Sequence, residues 1–365
     1  MDEMKVYGLT TIDAILGDMI VYRNLEPMDT RLLGLHAIAP SLGIAPHATP
    51  RKSEPDYARV MTHLLHSAQA LEAPRATLRR LIFVGDTRMN DGLAFRNLCG
   101  AGRWAGAAFI GSENRKPDEQ ELVNADGLTT MVANRWHMLF DFAAHLDAVE
   151  FAVDENTVVV LDLDKTTLGA RGRNDHVIDT ARLAAVRETI ATLLGADFDI
   201  GQFETSYALL NQPEFHPFTS DNQDYLTYLC LILGSGAASL DTMVREIRDG
   251  TLTRFADYLQ RIDGIKGALS PNLRDLHSDI YTRVAAGDPT PFKAFRYNEY
   301  RATVSRMGHM PGDATIDALL AQEILITQEV LQVATHWRNL GALIFGLSDK
   351  PDEASVPSTV LAGQG

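Results

Sequence analysis

The segment VVVLDLDKTTLG, residues 158–169, joins an apolar run directly to two acidic residues. Four aliphatic residues without polar alternation are typical of a strand that is buried on both faces of a parallel sheet. The run ends at Asp162, and Asp164 follows two positions later. Because ligands bind beyond the carboxyl ends of the strands in such sheets, this pair of acids is predicted to lie at a binding edge.

Two carboxylates at this spacing suit a reaction in which one acts as the nucleophile and the other transfers a proton. They cannot both lie flat along the strand, so they splay around the turn, and one can attack while its neighbour handles a proton. An aspartate can act as a nucleophile on phosphorus and form an aspartyl-phosphate. A second acid can then protonate the leaving oxygen. A strand end that is merely capped by solvated acids would show the same local pattern.

Three further apolar runs predict strands of the same kind, at residues 81–84, 107–110 and 342–347. A fifth strand is expected near the N-terminus, where residues 19–22 and residues 35–38 are both candidates. Helical patterns, such as those of residues 55–71 and 135–146, lie between the strands. This alternation predicts an α/β fold in which a parallel, Rossmann-like sheet is sandwiched between helices.

A long stretch, residues 175–340, shows helical patterns and no convincing strand. Helices alone over such a length, flanked by sheet strands, indicate an inserted second unit. We therefore expect a core made of residues 1–174 and 341–365 and an all-helical unit made of residues 175–340.

Polar side chains follow the other predicted strands and could serve the same edge of the sheet. The LIFV strand is followed by Gly85 and Asp86, and Asp91 lies five residues after Asp86, so two carboxylates could ligate a hard cation such as Mg²⁺. Ser348 follows the last strand, where its hydroxyl could donate to a phosphoryl oxygen. Lys52 stands just before a predicted helix and would add positive charge to an anion site, a role for which Lys350 is the rival.

The composition narrows the class of partner. The chain has 33 basic and 48 acidic residues and a net charge of −15, so a phosphate backbone would repel it, and no nucleic acid partner is expected. No apolar run approaches the ~18 residues of a membrane span, and the N-terminal residues do not resemble a secretory signal. The two cysteines, Cys99 and Cys230, exclude a disulfide framework and favour a reducing, cytoplasmic location. The oligomeric state stays open.

Together these motifs resemble those of the haloacid dehalogenase superfamily, most of whose members are phosphohydrolases. Residues 162–166, DLDKT, look like the family's first motif, Asp-x-Asp-x-Thr after an apolar strand, although Lys165 stands where the family often has Gly. Ser348 looks like the second motif and Lys52 is similar to the lysine of the third. The pair Asp86 and Asp91 looks like the fourth motif, Gly-Asp followed by an acid.

The order of these motifs along the chain departs from that of the family. Members normally carry them from first to fourth, whereas here the order is third, fourth, first and second. A circular permutation would give this order and would leave the strands in the same places in a parallel sheet. The strand of Asp162 is then expected between the strands of Asp86 and Ser348. Residues 175–340 occupy the slot in which the family often carries a helical cap domain.

The resemblance implies a Mg²⁺-dependent hydrolase that acts on the phosphate monoester of a small metabolite. Asp162 would be the nucleophile, Asp164 the general acid and base, and the remaining catalytic residues would be Thr166, Ser348 and Lys52. The resemblance also implies a Mg²⁺ site made by Asp162, Asp164, Asp86 and Asp91.

Three other functions share part of this pattern. A dehalogenase would use Asp162 to displace halide, but such members generally lack the second acid that Asp164 provides. A phosphotransferase or phosphomutase would share the core residues and differ in its acceptor, and a catalytically silent binding protein would keep only the fold. In the helical stretch, Lys293 and Arg296 are three residues apart and would either recognise an anionic group of the substrate or be exposed bases on a helix.

Overall fold

The computed structural model describes residues 5–45 and 49–357. Its sheet is made of β1 (Ile20–Val21), β2 (Arg80–Gly85), β3 (Ala105–Gly111), β4 (Gln120–Ala125), β5 (Leu128–Ala133), β6 (Thr157–Asp162) and β7 (Leu343–Leu347). These seven strands lie in the order β1-β7-β6-β2-β3-β5-β4. Neighbouring strands are parallel except for the antiparallel pair β4 and β5. The predicted α/β class with a largely parallel sheet is confirmed.

The described residues form fifteen α-helices. In chain order they are α1 (Ile12–Leu16), α2 (Leu35–Leu42), α3 (Pro55–Glu72), α4 (Asn90–Gly102), α5 (Met138–Ala148), α6 (His176–Leu194), α7 (Ile200–Leu210), α8 (His216–Thr219), α9 (Gln223–Gly234), α10 (Leu240–Arg248), α11 (Phe255–Ile265), α12 (Pro271–Ala285), α13 (Lys293–Val304), α14 (Ile316–Gln322) and α15 (Gln328–Asn339). Residues of α2, α3 and α4 form one apolar core with the sheet, and residues of α1, α5 and α15 form another. Within the described ranges, no helix has both the length and the apolarity that crossing a bilayer requires.

The strand of Asp162 is β6, an interior strand of the sheet whose six residues are all buried. Val158 and Val160 belong to the core of one face, and Val159 and Leu161 to the core of the other. This is why the run shows no polar alternation. Its parallel neighbours are β2 on one side and β7 on the other. The strand of Asp162 thus lies between the strands that precede Asp86 and Ser348, as expected.

The structure resolves the ambiguity near the N-terminus and adds a hairpin that the sequence patterns did not predict. The fifth strand is β1, within residues 19–22, whereas residues 35–38 begin α2. The added hairpin is β4 and β5, joined by Asp126 and Gly127, which both have positive φ. An Asp-Gly pair is a strong local signal for such a turn. The hairpin is easy to miss because every residue of β4 is exposed, so the strand has no apolar face.

The chain divides into two compact units, and the boundaries differ from the expected ones. One unit holds the sheet and extends to Thr180 and from Thr303 to Ser355, and the other is formed by Ala181–Ala302. The stretch from Thr303 to residue 340 joins the sheet unit because Val330, Val333 and Trp337 of α15 pack in a sheet core. Ala181–Ala302 contains no strand, in agreement with the prediction of helices alone. Its role as a cap stays a prediction.

Candidate active site

Three carboxylates converge at the carboxyl end of the central strands. Asp162 ends β6, Asp86 directly follows β2, and Asp91 lies in the first turn of α4. One ligand oxygen from each of the three lies within 4.8 Å of the others. We call Asp86, Asp91 and Asp162 the acidic cluster. It is a set of oxygen donors that could hold a metal ion.

The glycine before Asp86 allows the cluster to close. A Cβ at Gly85 would lie 2.7 Å from Cγ of Asp91, so any larger residue would push that carboxylate away. Asp91 Oδ2 accepts hydrogen bonds from the backbone N–H of Asp86 and of Thr87, at 2.9 and 2.8 Å, and from the Thr87 hydroxyl at 2.9 Å. These bonds fix the Asp91 carboxylate over the turn that follows β2.

Lys52 lies among the acids. Its Nζ is 2.5 Å from Oδ1 of Asp91 and 2.6 Å from Oδ1 of Asp162, and its side chain is almost wholly buried. The ammonium also lies 5.5 Å from the ring centroid of Phe83, which gives it a cation–π contact. Lys52 therefore balances part of the negative charge of the cluster. The Nζ of Lys350, the rival, instead donates to Thr303 Oγ1 at 3.3 Å.

Both oxygens of Asp162 are engaged. Oδ1 accepts from Lys52, and Oδ2 accepts from the Thr166 hydroxyl at 2.8 Å. The Thr167 hydroxyl donates to the backbone carbonyl of Asp162 at 2.7 Å, which fixes the turn beyond the strand. The carboxylate of Asp162 is therefore oriented by the residues that follow it along the chain.

Burial and mutual repulsion set the protonation of these groups. Burial raises the pKa of Asp162 well above its usual value, and the neighbouring acids add to the effect while Lys52 opposes it. Burial and the charge of Asp91 raise the pKa of Asp86 to about 7. Burial also acts to raise the pKa of Asp91, but Lys52 overcomes it and lowers that pKa to about 2. A cation bound to the cluster would favour the ionised form of each acid.

Asp164 and Ser348, the two other polar residues predicted at these strand ends, are not members of the acidic cluster. Asp164 is half-buried in the turn after β6 and is not one of the three clustered acids. Ser348 is buried and comes directly after Leu347, which pairs with Asp162 across the sheet. The Ser348 hydroxyl accepts from the backbone N–H of Lys350 at 2.9 Å.

The two basic residues of the helical stretch have acidic partners within their own unit. Arg296 is buried and its guanidinium contacts Asp224 at 2.5 Å and Glu299 at 2.6 Å. Lys293 Nζ lies 3.0 Å from an oxygen of Asp288. Arg296 is thus a buried structural group and is not an exposed base, which neither alternative for this pair anticipated.

Two residues of the site were not predicted. Arg171 contacts Asp86 through Nε, and Tyr57 on α3 is buried, with a hydroxyl that has no hydrogen-bond partner among the described residues. Burial raises the pKa of Tyr57 and the charge of Lys52 opposes this, so the phenol lies within the field of the site. No local pattern distinguishes either residue, because one is a basic residue in a polar loop and the other lies on an amphipathic helix.

The loop that carries Arg171 depends on a glycine, which leads to a prediction. Gly172 has φ +77°, and a Cβ there would collide with the carbonyl oxygen of Glu113. We expect Gly172→Ala to lower the free energy of unfolding by about 2–3 kcal/mol, measured by urea denaturation, since positive φ alone costs about 1–2 kcal/mol.

Gly127→Ala is the matched control for this prediction. Gly127 has φ +76°, but a Cβ there meets no described atom within 4 Å. It should therefore show the cost of the backbone conformation without the collision. Equal costs for the two variants would show that the contact with Glu113 does not constrain the loop.

Comparison of the chain with protein-family models, with curated proteins and with solved structures finds no match. A function is therefore inferred from the residues of the site.

Proposed function

We propose that this protein is a Mg²⁺-dependent phosphohydrolase that cleaves phosphate monoesters of small metabolites through an aspartyl-phosphate on Asp162. One observation carries the proposal. Asp162 ends the interior strand β6 with one oxygen held by Lys52 and the other by Thr166, beside two further carboxylates. A nucleophile, a fixed positive charge and a set of hard oxygen donors in one place are the components that phosphoryl transfer needs.

The residues present fit a divalent cation. The acidic cluster offers three carboxylates, and hard oxygen donors are the ligands that Mg²⁺ prefers. Asp162, Asp86 and Asp91 would hold the ion, with the backbone carbonyl of Asp164 as the further ligand that the resemblance implies. When bound, the ion neutralises charge on the phosphoryl group.

In the first half of the reaction, an oxygen of Asp162 attacks phosphorus and the bond from phosphorus to the alcohol oxygen breaks. Asp164 donates its proton to that oxygen, and the alcohol leaves. In the second half, Asp164 takes a proton from water and the resulting oxygen attacks the same phosphorus. The bond to Asp162 then breaks and inorganic phosphate is released. Ser348 and Lys52 hold phosphoryl oxygens in both halves.

A screen of phosphorylated metabolites, with Mg²⁺ and with excess chelator, tests the proposal. We expect release of inorganic phosphate from at least one compound in Mg²⁺. Chelation should lower the rate at least about a hundredfold, because a bound cation supplies several kcal/mol of charge stabilisation in the transition state. Re-addition of Mg²⁺ should restore the rate.

One aspartate inside the acidic cluster and one outside it provide a matched pair of variants for this screen. Asp86→Asn should reproduce the effect of the chelator, whereas Asp154→Asn, which changes an acid just before the opposite end of β6, should not. Full activity in excess chelator would contradict the metal requirement. Transfer of the phosphoryl group to a second metabolite without release of phosphate would instead identify a phosphotransferase.

A further inference from the structure

Arg171 closes the acidic cluster on the side that Lys52 does not reach. Lys52 contacts Asp91 and Asp162, whereas Asp86 pairs with Nε of Arg171. The Asp86 side chain is only 7% exposed, whereas that of Arg171 is 37% exposed. The guanidinium therefore lies between Asp86 and solvent.

The backbone of Arg171 is held in place, so only its side chain is free to leave. Its N–H donates to the carbonyl of Lys165 at 2.7 Å. Its carbonyl accepts from the backbone N–H of Glu113 at 2.9 Å and from Nε1 of Trp136 at 3.2 Å. An arginine side chain on a fixed backbone can swing by rotation about its own bonds without moving the loop.

Asp175 is a second acid that can accompany the guanidinium of Arg171 once it leaves Asp86. The negative charge of Asp175, like those of Asp86 and Asp91, acts to raise the pKa of Arg171. The carboxylate of Asp175 is held close to the backbone beside Arg171, because its Oδ1 accepts a hydrogen bond from the N–H of Gly172, the next residue, at 2.9 Å. Departure from Asp86 therefore does not leave the guanidinium without an anionic neighbour.

We propose that Arg171 and a divalent cation compete for the carboxylate of Asp86, so that Arg171 sets the affinity of the acidic cluster for the cation. The guanidinium of Arg171 contacts Asp86 Oδ2 and neutralises the same carboxylate that a bound cation would neutralise. When a cation binds to the cluster, it takes the place of the guanidinium at Asp86, and the side chain of Arg171 moves toward solvent. Arg171 is thus a positioning residue for the metal site. The inference rests on the proposed metal site and does not require phosphatase activity.

The first test is direct titration of the metal-free protein with Mg²⁺ by calorimetry. We expect Arg171→Met to bind Mg²⁺ at least about tenfold more tightly than the wild type. In this variant the ion does not have to break the hydrogen bond between two charged groups, which is stronger than one between neutral groups. Arg88→Met is the matched control, because Arg88 follows Asp86 closely in the chain but pairs with the exposed Glu121. It removes the same charge without touching the cluster and should leave the affinity within about twofold.

Each outcome of the titration decides the question. Tighter binding in Arg171→Met alone supports competition, as does binding by this variant when the wild type binds no Mg²⁺. Equal tightening in Arg88→Met would show that only the net charge matters and would overturn the inference. Unchanged or weaker binding in Arg171→Met would also overturn it, as would the absence of binding in both proteins.

A second measurement uses the wild-type protein and does not depend on the folding of a variant. The Nε–Hε resonance of Arg171, identified by its loss in Arg171→Lys, should shift when Mg²⁺ is added, at the same concentration that saturates the calorimetric signal. A resonance that stays in place while the cluster fills would show that Arg171 remains on Asp86, and competition would be wrong. Because both readouts follow binding, they remain informative if the metabolite screen finds no substrate.

Discussion

Replacing Asp162 by Asn should lower kcat at least about a thousandfold, the scale on which removal of a nucleophile acts in enzymes that form a covalent intermediate. The amide is neutral and does not attack phosphorus. The fold should survive, because the amide oxygen can still accept from Lys52 and the amide nitrogen can donate to the Thr166 hydroxyl, the two groups that now hold the carboxylate. The measurement is kcat on a substrate from the screen, together with the thermal unfolding midpoint.

Asp154→Asn serves as the control for this variant, since Asp154 lies just before β6 at its opposite end and pairs with Arg80. It should retain the activity of the wild type. A rate for Asp162→Asn close to that of the wild type would mean that Asp162 is not the nucleophile. A rate that falls together with the unfolding midpoint would mean that the carboxylate is needed for the fold.

Replacing Lys52 by Met should lower the free energy of unfolding by about 3–5 kcal/mol in the absence of divalent cations, because breaking a buried ion pair leaves uncompensated charge behind. Lys52 is 4% exposed and contacts both Asp91 and Asp162. Without its ammonium, the acidic cluster holds three carboxylates, of which Asp86 contacts Arg171. Urea denaturation in chelator measures the effect.

Lys350→Met is the matched control for this loss. Lys350 is also buried, but its Nζ makes a single hydrogen bond, to Thr303, in the described structure, so we expect a cost of about 1 kcal/mol. Mg²⁺ should recover part of the stability of Lys52→Met and none of that of Lys350→Met, since the ion replaces charge only at the cluster. Similar costs for the two lysines, or no response to Mg²⁺, would contradict the proposed charge balance.

The strands of the sheet that carry the site could be predicted because each shows two signals in the sequence. The runs before Asp86, Asp162 and Ser348 are apolar throughout, and a residue with a polar side chain follows each within two positions. Burial on both faces of a parallel strand produces the first signal and the binding edge produces the second. The adjacency of residues that are far apart in the chain could therefore be inferred from strand ends.

The parts that were not predicted lack such signals. The exposed strand β4 has no apolar face, so its burial pattern resembles that of a loop. The helix α15 is amphipathic, and amphipathicity does not reveal whether Trp337 packs on a sheet or on other helices. The pairing of Arg171 with Asp86 depends on the path of a loop and on no local periodicity.

The position of β7 in the sheet has a consequence for how the chain folds as it is made. One edge of β6 pairs with β2, which is already present, but the other edge pairs with β7, which follows the whole of Ala181–Ala302. During synthesis, the hydrogen-bonding groups of VVVL on that side have no partner until the last strand emerges. Such an open apolar edge invites association with other chains. The protein should therefore depend on early compaction of the helical unit, which shortens the distance that β7 must search, and a ribosome stall within that unit would leave an aggregation-prone nascent chain.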